Sequence, residues 1–147
     1  MANFRQGIYE VKNPSKYVGN GKPYFRSGWE NAFMNFCDNN DNILQWASEP
    51  VRIPYKNPLT GKMTIYVPDF IVVYHGPNNT TKAELIEIKP KSQSVVEAKM
   101  KDRDRAIVAI NYCKWDAASK WAKQNGMTFR VVTEDMIFHQ GSGKKKR

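Results

Sequence analysis

The chain has 147 residues and carries 23 Lys and Arg against 14 Asp and Glu, a formal net charge of +9. Its apolar content of 41% and aromatic content of 12% are typical of a chain with a buried core and exclude a disordered protein. No run approaches the ~20 apolar residues of a membrane span, and no apolar signal segment is present, so we expect neither a membrane nor a secreted protein. The surplus of positive charge favours a polyanionic partner.

The amino-terminal part of the chain is predicted to be an arm followed by a helix. Residues 1–24 are rich in Pro, Gly and Asn, which favour loops, and we interpret them as an N-terminal arm. Ser27 and Glu30 have the spacing of a capping box, which predicts that a helix begins there. Phe33 and Phe36 recur at helical spacing, so one face of this helix should pack on the core.

The middle of the chain is predicted to form antiparallel strands. Alternating apolar residues and prolines favour extended structure, and two clusters of Pro, Gly and Asn are typical of hairpin turns. The predicted strands are residues 43–55, of which 51–55 pair with 63–67, followed by 69–74 paired with 83–89.

Two helices and a strand are predicted to follow. Ser94 and Glu97 form a second capping box, which indicates a charged helix that becomes apolar. A further helix over residues 114–124 is expected to end near Gly126, and residues 129–133 are typical of a strand.

This order of elements predicts one mixed α/β domain. The boundaries are residues 25–140 for the domain and 141–147 for a flexible basic tail. A mixed sheet of four or five strands would be flanked by the first helix and by the two later helices.

The residues that can carry chemistry lie on the second predicted hairpin. Side chains alternate along a strand, so Glu87 and Lys89 share a face. A symmetric turn centred on Asn78 places Asp69 opposite Glu87, with Cβ atoms about 4.5–5.5 Å apart. The pattern therefore predicts that the carboxylates of Asp69 and Glu87 and the ammonium group of Lys89 lie close together.

Opposed carboxylates repel each other unless a cation lies between them. Mg²⁺ prefers oxygen ligands and is commonly held by one or two carboxylates together with substrate phosphate. Lys89 beside Asp69 and Glu87 can orient an attacking water or stabilise charge on a phosphate. The set suits metal-assisted hydrolysis of a phosphodiester. The alternative is that Glu87 and Lys89 are solvated charges on a strand whose other face is buried.

The motif Pro68-Asp69 followed by Glu87-Ile88-Lys89 resembles the PD-(D/E)xK nuclease superfamily. The resemblance implies a restriction-endonuclease-like fold, with Asp69, Glu87 and the backbone carbonyl of Ile88 holding Mg²⁺ or Mn²⁺. It also implies that Lys89 assists the attacking water.

A branch of this superfamily, similar to the endonuclease of Tn7-type transposition, adds two residues. Its Glu on the first helix is matched by Glu30, and its Gln after the Lys is matched by Gln93. Glu30 is thereby implied to be catalytic and metal-binding, although the capping box alone also accounts for a Glu at this position. Glu49 is an alternative third carboxylate.

Longer segments, such as the run from Tyr24 to Glu30, resemble the head-completion nucleases of T4-type tailed phages over residues 4–138. The resemblance implies an endodeoxyribonuclease that acts after DNA packaging, with DNA and phage head or neck proteins as partners. It places the protein in the host cytoplasm during infection or in the virion. A homodimer is one expectation from the mechanism, because cutting both strands of a duplex needs either two protomers or two visits by one site. Two alternatives stay open: a non-catalytic DNA-binding head or neck protein, and a nuclease subunit that requires a partner.

Basic residues after the site are candidates for DNA binding. Lys91, Lys99 and Lys101 can follow a phosphate backbone, and Ser94 lies at a predicted helix start where free N–H groups bind phosphate. Gln93 is expected to orient the DNA backbone. The alternative for the lysines is a solvated helix face, because acidic residues are interspersed among them.

Overall fold

The structure, a computed structural model, describes residues 6–90 and 101–133. Within those ranges no helix has the length and apolar character needed to cross a membrane. The elements in chain order are β1 (Gly7–Ile8), β2 (Tyr24–Phe25), α1 (Gly28–Asn39), β3 (Ile43–Ser48), β4 (Ile53–Lys56), β5 (Met63–Tyr66), β6 (Phe70–His75), β7 (Thr81–Ile88), α2 (Asp102–Gln124) and β8 (Thr128–Val132).

A four-stranded mixed sheet forms the centre of the fold, with strand order β3-β6-β7-β8. The first two pairings are antiparallel and the pairing of β7 with β8 is parallel. Two short ribbons, β1 with β2 and β4 with β5, lie outside this sheet. The predicted mixed α/β architecture is confirmed.

The hairpin of β6 and β7 has the predicted register. Phe70 pairs with Ile86, and the continuation of this register places Asp69 opposite Glu87. The turn contains Asn78 at φ 58° and Asn79 at φ 63°. Asparagine is one of the few residues that adopt this left-handed conformation readily. The turn chemistry therefore fixes which side chains meet across the hairpin.

Each face of the sheet packs against one helix. α1 covers the face that contains Phe70 and Ile86, whereas α2 and the β4–β5 ribbon cover the face that contains Leu85. Asp69 and Glu87 belong by alternation to the second face. The core between α2, the β4–β5 ribbon and the sheet consists of Ile53, Tyr55, Tyr66, Leu85, Ala118 and Ala122.

The prediction of one extended segment over residues 43–55 is wrong. β3 ends at Ser48, and the chain turns at Glu49, whose φ is 48°, before β4 begins at Ile53 in a different sheet. The backbone N–H of Glu49 donates to the carbonyl of Asp69 at 2.8 Å, which holds the turn against the start of β6. This turn brings the β4–β5 ribbon over the face of the carboxylates.

The prediction of two separate helices after Ser94 is also wrong for the described residues. α2 is continuous through residues 106–124, because no Gly or Pro interrupts it. The capping box at Ser94 lies outside the described residues. The predicted end is confirmed, since Asn125 caps α2 and Gly126 has φ 74°.

The described part of the N-terminal arm is anchored to α1 by the buried Asp38. The Tyr9 hydroxyl donates to this carboxylate at 2.8 Å, as do the backbone N–H groups of Lys12 at 2.7 Å and Asn13 at 3.0 Å. Burial opposes ionisation, but these hydrogen bonds outweigh it and lower the pKa of Asp38. Asp38 is thus a satisfied structural carboxylate.

Candidate active site

Asp69 lies immediately before β6, after the buried Pro68. Its Oδ2 accepts a hydrogen bond from the Ile88 N–H at 2.7 Å, which ties it to the neighbouring strand β7. Burial raises the pKa of Asp69 well above its ordinary value, and the negative charges of Glu87 and Glu30 raise it further. The Ile88 N–H and the Lys89 ammonium oppose this shift without reversing it.

Glu87 lies near the end of β7 and is only 5% exposed. The Tyr66 hydroxyl donates to its Oε1 at 2.7 Å, and Lys89 Nζ lies 3.7 Å from its Oε2. Burial raises the pKa of Glu87, against the effects of Tyr66 and Lys89. The structure therefore brings together the three residues that the strand pattern predicted.

Glu30 has two roles in the geometry. Its backbone N–H donates to the Ser27 hydroxyl at 3.1 Å, which confirms the helix cap. Its carboxylate reaches back to the N–H of Arg26 at 2.9 Å, one residue earlier than a capping box requires. The negative charge of Glu30 also raises the pKa of both Asp69 and Glu87, so the three carboxylates are close enough to interact electrostatically. Burial raises the pKa of Glu30 itself.

Glu49, the alternative third carboxylate, is held by a different partner. Its Oε2 lies 2.9 Å from Arg26 Nη2 in an ion pair on the surface. Arg26 is thus shared between Glu49, through its guanidinium, and Glu30, through its backbone N–H. This pairing favours Glu30 over Glu49 as the third acidic residue of the site.

Of the residues predicted to bind DNA, Lys101 lies in the described part of the chain. It is exposed directly before α2, where its side chain makes no capping hydrogen bond. Lys91, Gln93, Ser94 and Lys99 lie outside the described residues.

Two site residues were not predicted from the sequence, Tyr66 and Lys114. Tyr66, the last residue of β5, is buried with its hydroxyl on Glu87. Lys114, on α2, has its Nζ 5.6 Å from the centre of the Tyr66 ring. Burial and the charge of Lys89 lower the pKa of Lys114, while Glu87 and Asp69 oppose that change. No local sequence signal identifies either residue, because their positions depend on how α2 and the ribbon pack on the sheet.

The donor atoms of the site suit a hard divalent cation. Asp69 and Glu87 offer oxygen ligands, which Mg²⁺ and Mn²⁺ prefer over the nitrogen and sulfur ligands of zinc sites. Across residues 6–90 and 101–133, no group of three or more His, Cys, Asp and Glu side chains is arranged to hold a metal ion. The fit is therefore to an ion held by a carboxylate pair and completed by water and phosphate, as is usual for Mg²⁺.

Comparisons with known proteins show the family of this chain. The family model for the TnsA-like endonuclease N terminal matches residues 40–134, a segment that includes Asp69, Glu87 and Lys89. The Head completion nuclease of Enterobacteria phage T4 is 33% identical over 140 residues, covering 88% of this chain and 91% of that protein. Since both the domain and nearly the whole chain are matched, the protein belongs to the TnsA-like endonuclease family.

Proposed function

We propose that the protein is a divalent-metal-dependent DNA endonuclease of the PD-(D/E)xK type that acts in phage head completion. The observation that carries the proposal is the buried carboxylate pair with Lys89 Nζ 3.7 Å from Glu87. Two buried like charges oppose folding unless a cation compensates them. The name of the T4 relative supports the role in head completion.

The proposed metal ligands are Asp69, Glu87 and the backbone carbonyl of Ile88, with Glu30 completing the acidic set. A bound Mg²⁺ or Mn²⁺ would supply charge neutralisation and an activated water. Lys89 is proposed to position that water and to stabilise negative charge developing on the phosphate. The phosphodiester bond would then be hydrolysed without a covalent enzyme intermediate: the oxygen of the attacking water bonds to phosphorus and releases its proton to solvent, while the P–O bond to the leaving oxygen breaks and that oxygen takes a proton from solvent.

The proposed partners are DNA and proteins of the phage head or neck. Lys91, Gln93, Ser94, Lys99 and Lys101 are proposed to contact the DNA backbone. A homodimer would give each strand of a duplex its own site. We place the protein in the host cytoplasm during infection or in the virion.

The activity is tested by incubating supercoiled plasmid with the protein and Mg²⁺, Mn²⁺ or a chelator. We expect cleavage that requires metal, and cleavage in chelator would contradict the proposal.

The dual role of Glu30 is tested by a matched pair of substitutions. Glu30→Gln preserves an acceptor for the Arg26 N–H but removes the charge, so we expect a folded protein that has lost most cleavage. Ser27→Ala removes only the cap, and we expect a loss of about 0.5–2 kcal/mol in the free energy of unfolding with cleavage retained. Thermal melting and plasmid cleavage measure both variants. If Glu30→Gln cleaves at the wild-type rate, Glu30 is only a cap.

The hydrogen bond from Tyr66 to Glu87 is expected to matter for activity more than for folding. Tyr66→Phe keeps the ring packed under α2 but leaves Glu87 Oε1 without its donor. Groups that orient a metal ligand typically contribute about 10–100-fold in metal affinity or activity. We expect a decrease in cleavage of that size, with partial recovery at high Mg²⁺ concentration. Tyr55→Phe is the control, because Tyr55 lies in the same buried cluster and should leave cleavage unchanged.

A further inference from the structure

A second lysine, Lys114 on α2, lies near the carboxylates of the site. Tyr66 links it to the site: its hydroxyl lies 2.7 Å from Glu87 Oε1, and its ring lies under the Lys114 ammonium at 5.6 Å. Lys89, by contrast, approaches the other oxygen of Glu87 at 3.7 Å. Both ammonium groups thus lie near the carboxylate that is proposed to bind metal.

The Lys114 ammonium is half-buried, and the carboxylates of Glu87 and Asp69 act on it without a direct ion pair in the described part of the chain. Within that part it forms no ion pair shorter than 4.0 Å and no hydrogen bond, whereas Lys120 on the same helix pairs with Asp116 at 3.0 Å. A cation above an aromatic ring gains about 0.5–2 kcal/mol, but the ring satisfies none of the three N–H donors. Among the described residues these donors have no hydrogen-bond partner, so they can serve an anionic ligand.

The charges of the site indicate when such a ligand would bind. Asp69, Glu87 and Glu30 carry three negative charges when ionised, and Lys89 and Lys114 carry two positive charges. A divalent cation on the carboxylates would leave the site with one excess positive charge. A phosphate group of a DNA strand is the anion that compensates this excess and lies beside the cleavage site.

We propose that Lys114 is a second phosphate-binding residue of the site, donating to a non-bridging oxygen of the DNA strand from the α2 side. This inference rests on the proposed function, since the phosphate belongs to the DNA substrate. Lys89, just after β7, and Lys114, on α2, then both contact the DNA strand.

DNA binding without cleavage tests this role. The variants are made in the Lys89→Ala background with Mg²⁺ present, which keeps Asp69 and Glu87 while a short fluorescent duplex stays intact, and affinity is measured over a series of KCl concentrations. Lys114→Met keeps an apolar chain on Tyr66 but removes the charge, and Lys114→Arg keeps the charge. Lys120→Met is the control on the same helix. Thermal melting of each variant confirms that it is folded.

Each phosphate contact contributes about −0.9 to the slope of log affinity against log salt concentration. We expect Lys114→Met to reduce the steepness by about that amount, with Lys114→Arg and Lys120→Met close to the parent. A folded Lys114→Met variant with the parent slope and affinity would overturn the inference and leave Lys114 as a packing residue on Tyr66. If the wild type binds duplex but does not cleave it with any metal, the proposed function fails, whereas the slope comparison still decides the role of Lys114.

Discussion

Replacing Asp69 by asparagine is expected to abolish DNA cleavage and, in the same protein, to raise the stability of the metal-free fold. Asparagine can still accept the hydrogen bond from the Ile88 N–H, so the local structure should be kept. Cleavage should fall by more than the roughly 10–100-fold caused by losing an outer partner of a metal ligand. Removing a buried charge beside Glu87 should raise the free energy of unfolding by about 0.5–2 kcal/mol.

Plasmid cleavage and thermal melting in chelator measure the two effects. For a chain of this length, each kcal/mol corresponds to a rise of roughly 2–4 °C in Tm. Asp38→Asn is the matched control, because Asp38 is a buried carboxylate whose hydrogen bonds lower its pKa. We expect Asp38→Asn to destabilise the protein and to leave cleavage intact where the protein is folded. A less stable Asp69→Asn variant, or one that cleaves normally, would contradict the assignment.

The second large effect concerns pH. We expect the free energy of unfolding of the metal-free protein to fall as pH rises. Burial raises the pKa of Asp69 and of Glu87 in the folded state above their ordinary values of 3.8 and 4.5. The unfolded chain therefore releases these protons at lower pH than the folded protein does. The stability present below about pH 4 is lost as pH rises toward the raised pKa values, and the loss is complete above them.

Metal should reverse this loss at neutral pH. An ion that binds only the folded state at 100 times its dissociation constant adds about 2.7 kcal/mol to the free energy of unfolding. We expect Mg²⁺ and Mn²⁺ to raise the Tm of the wild type at neutral pH and to have little effect on Asp69→Asn. The measurement is the Tm difference between these two proteins across pH, with chelator and with metal. A Tm difference that changes neither with pH nor with metal would contradict the claim that a metal ion compensates the charges of Asp69 and Glu87.

Local chemistry accounts for what could be predicted from the sequence. The turn at Asn78 and the alternation of side chains set the register of one hairpin, and this register places Asp69 opposite Glu87. The cap of α1 is equally local, because Ser27 and Glu30 are three residues apart. These features depend on residues that are neighbours in the chain or across one turn.

The parts that could not be predicted depend on packing between distant segments. Tyr66 and Lys114 reach the site only because the β4–β5 ribbon and α2 cover the same face of the sheet. The sharp change of direction at Glu49 has a positive φ that its residue type does not favour. It is held by a hydrogen bond to the distant Asp69, which no local pattern reveals.

The most direct test of the central claim is plasmid cleavage by the wild type, Asp69→Ala and Lys89→Ala with Mg²⁺, Mn²⁺ or chelator. DNA binding is measured in parallel, so that loss of chemistry is separated from loss of affinity. We predict that the wild type cleaves only with metal and that both variants bind DNA without cleaving it. Cleavage retained in either variant would contradict the site, and a wild type that binds DNA but never cleaves would contradict the proposed activity. The latter result would favour a structural DNA-binding protein or a nuclease subunit that needs a partner.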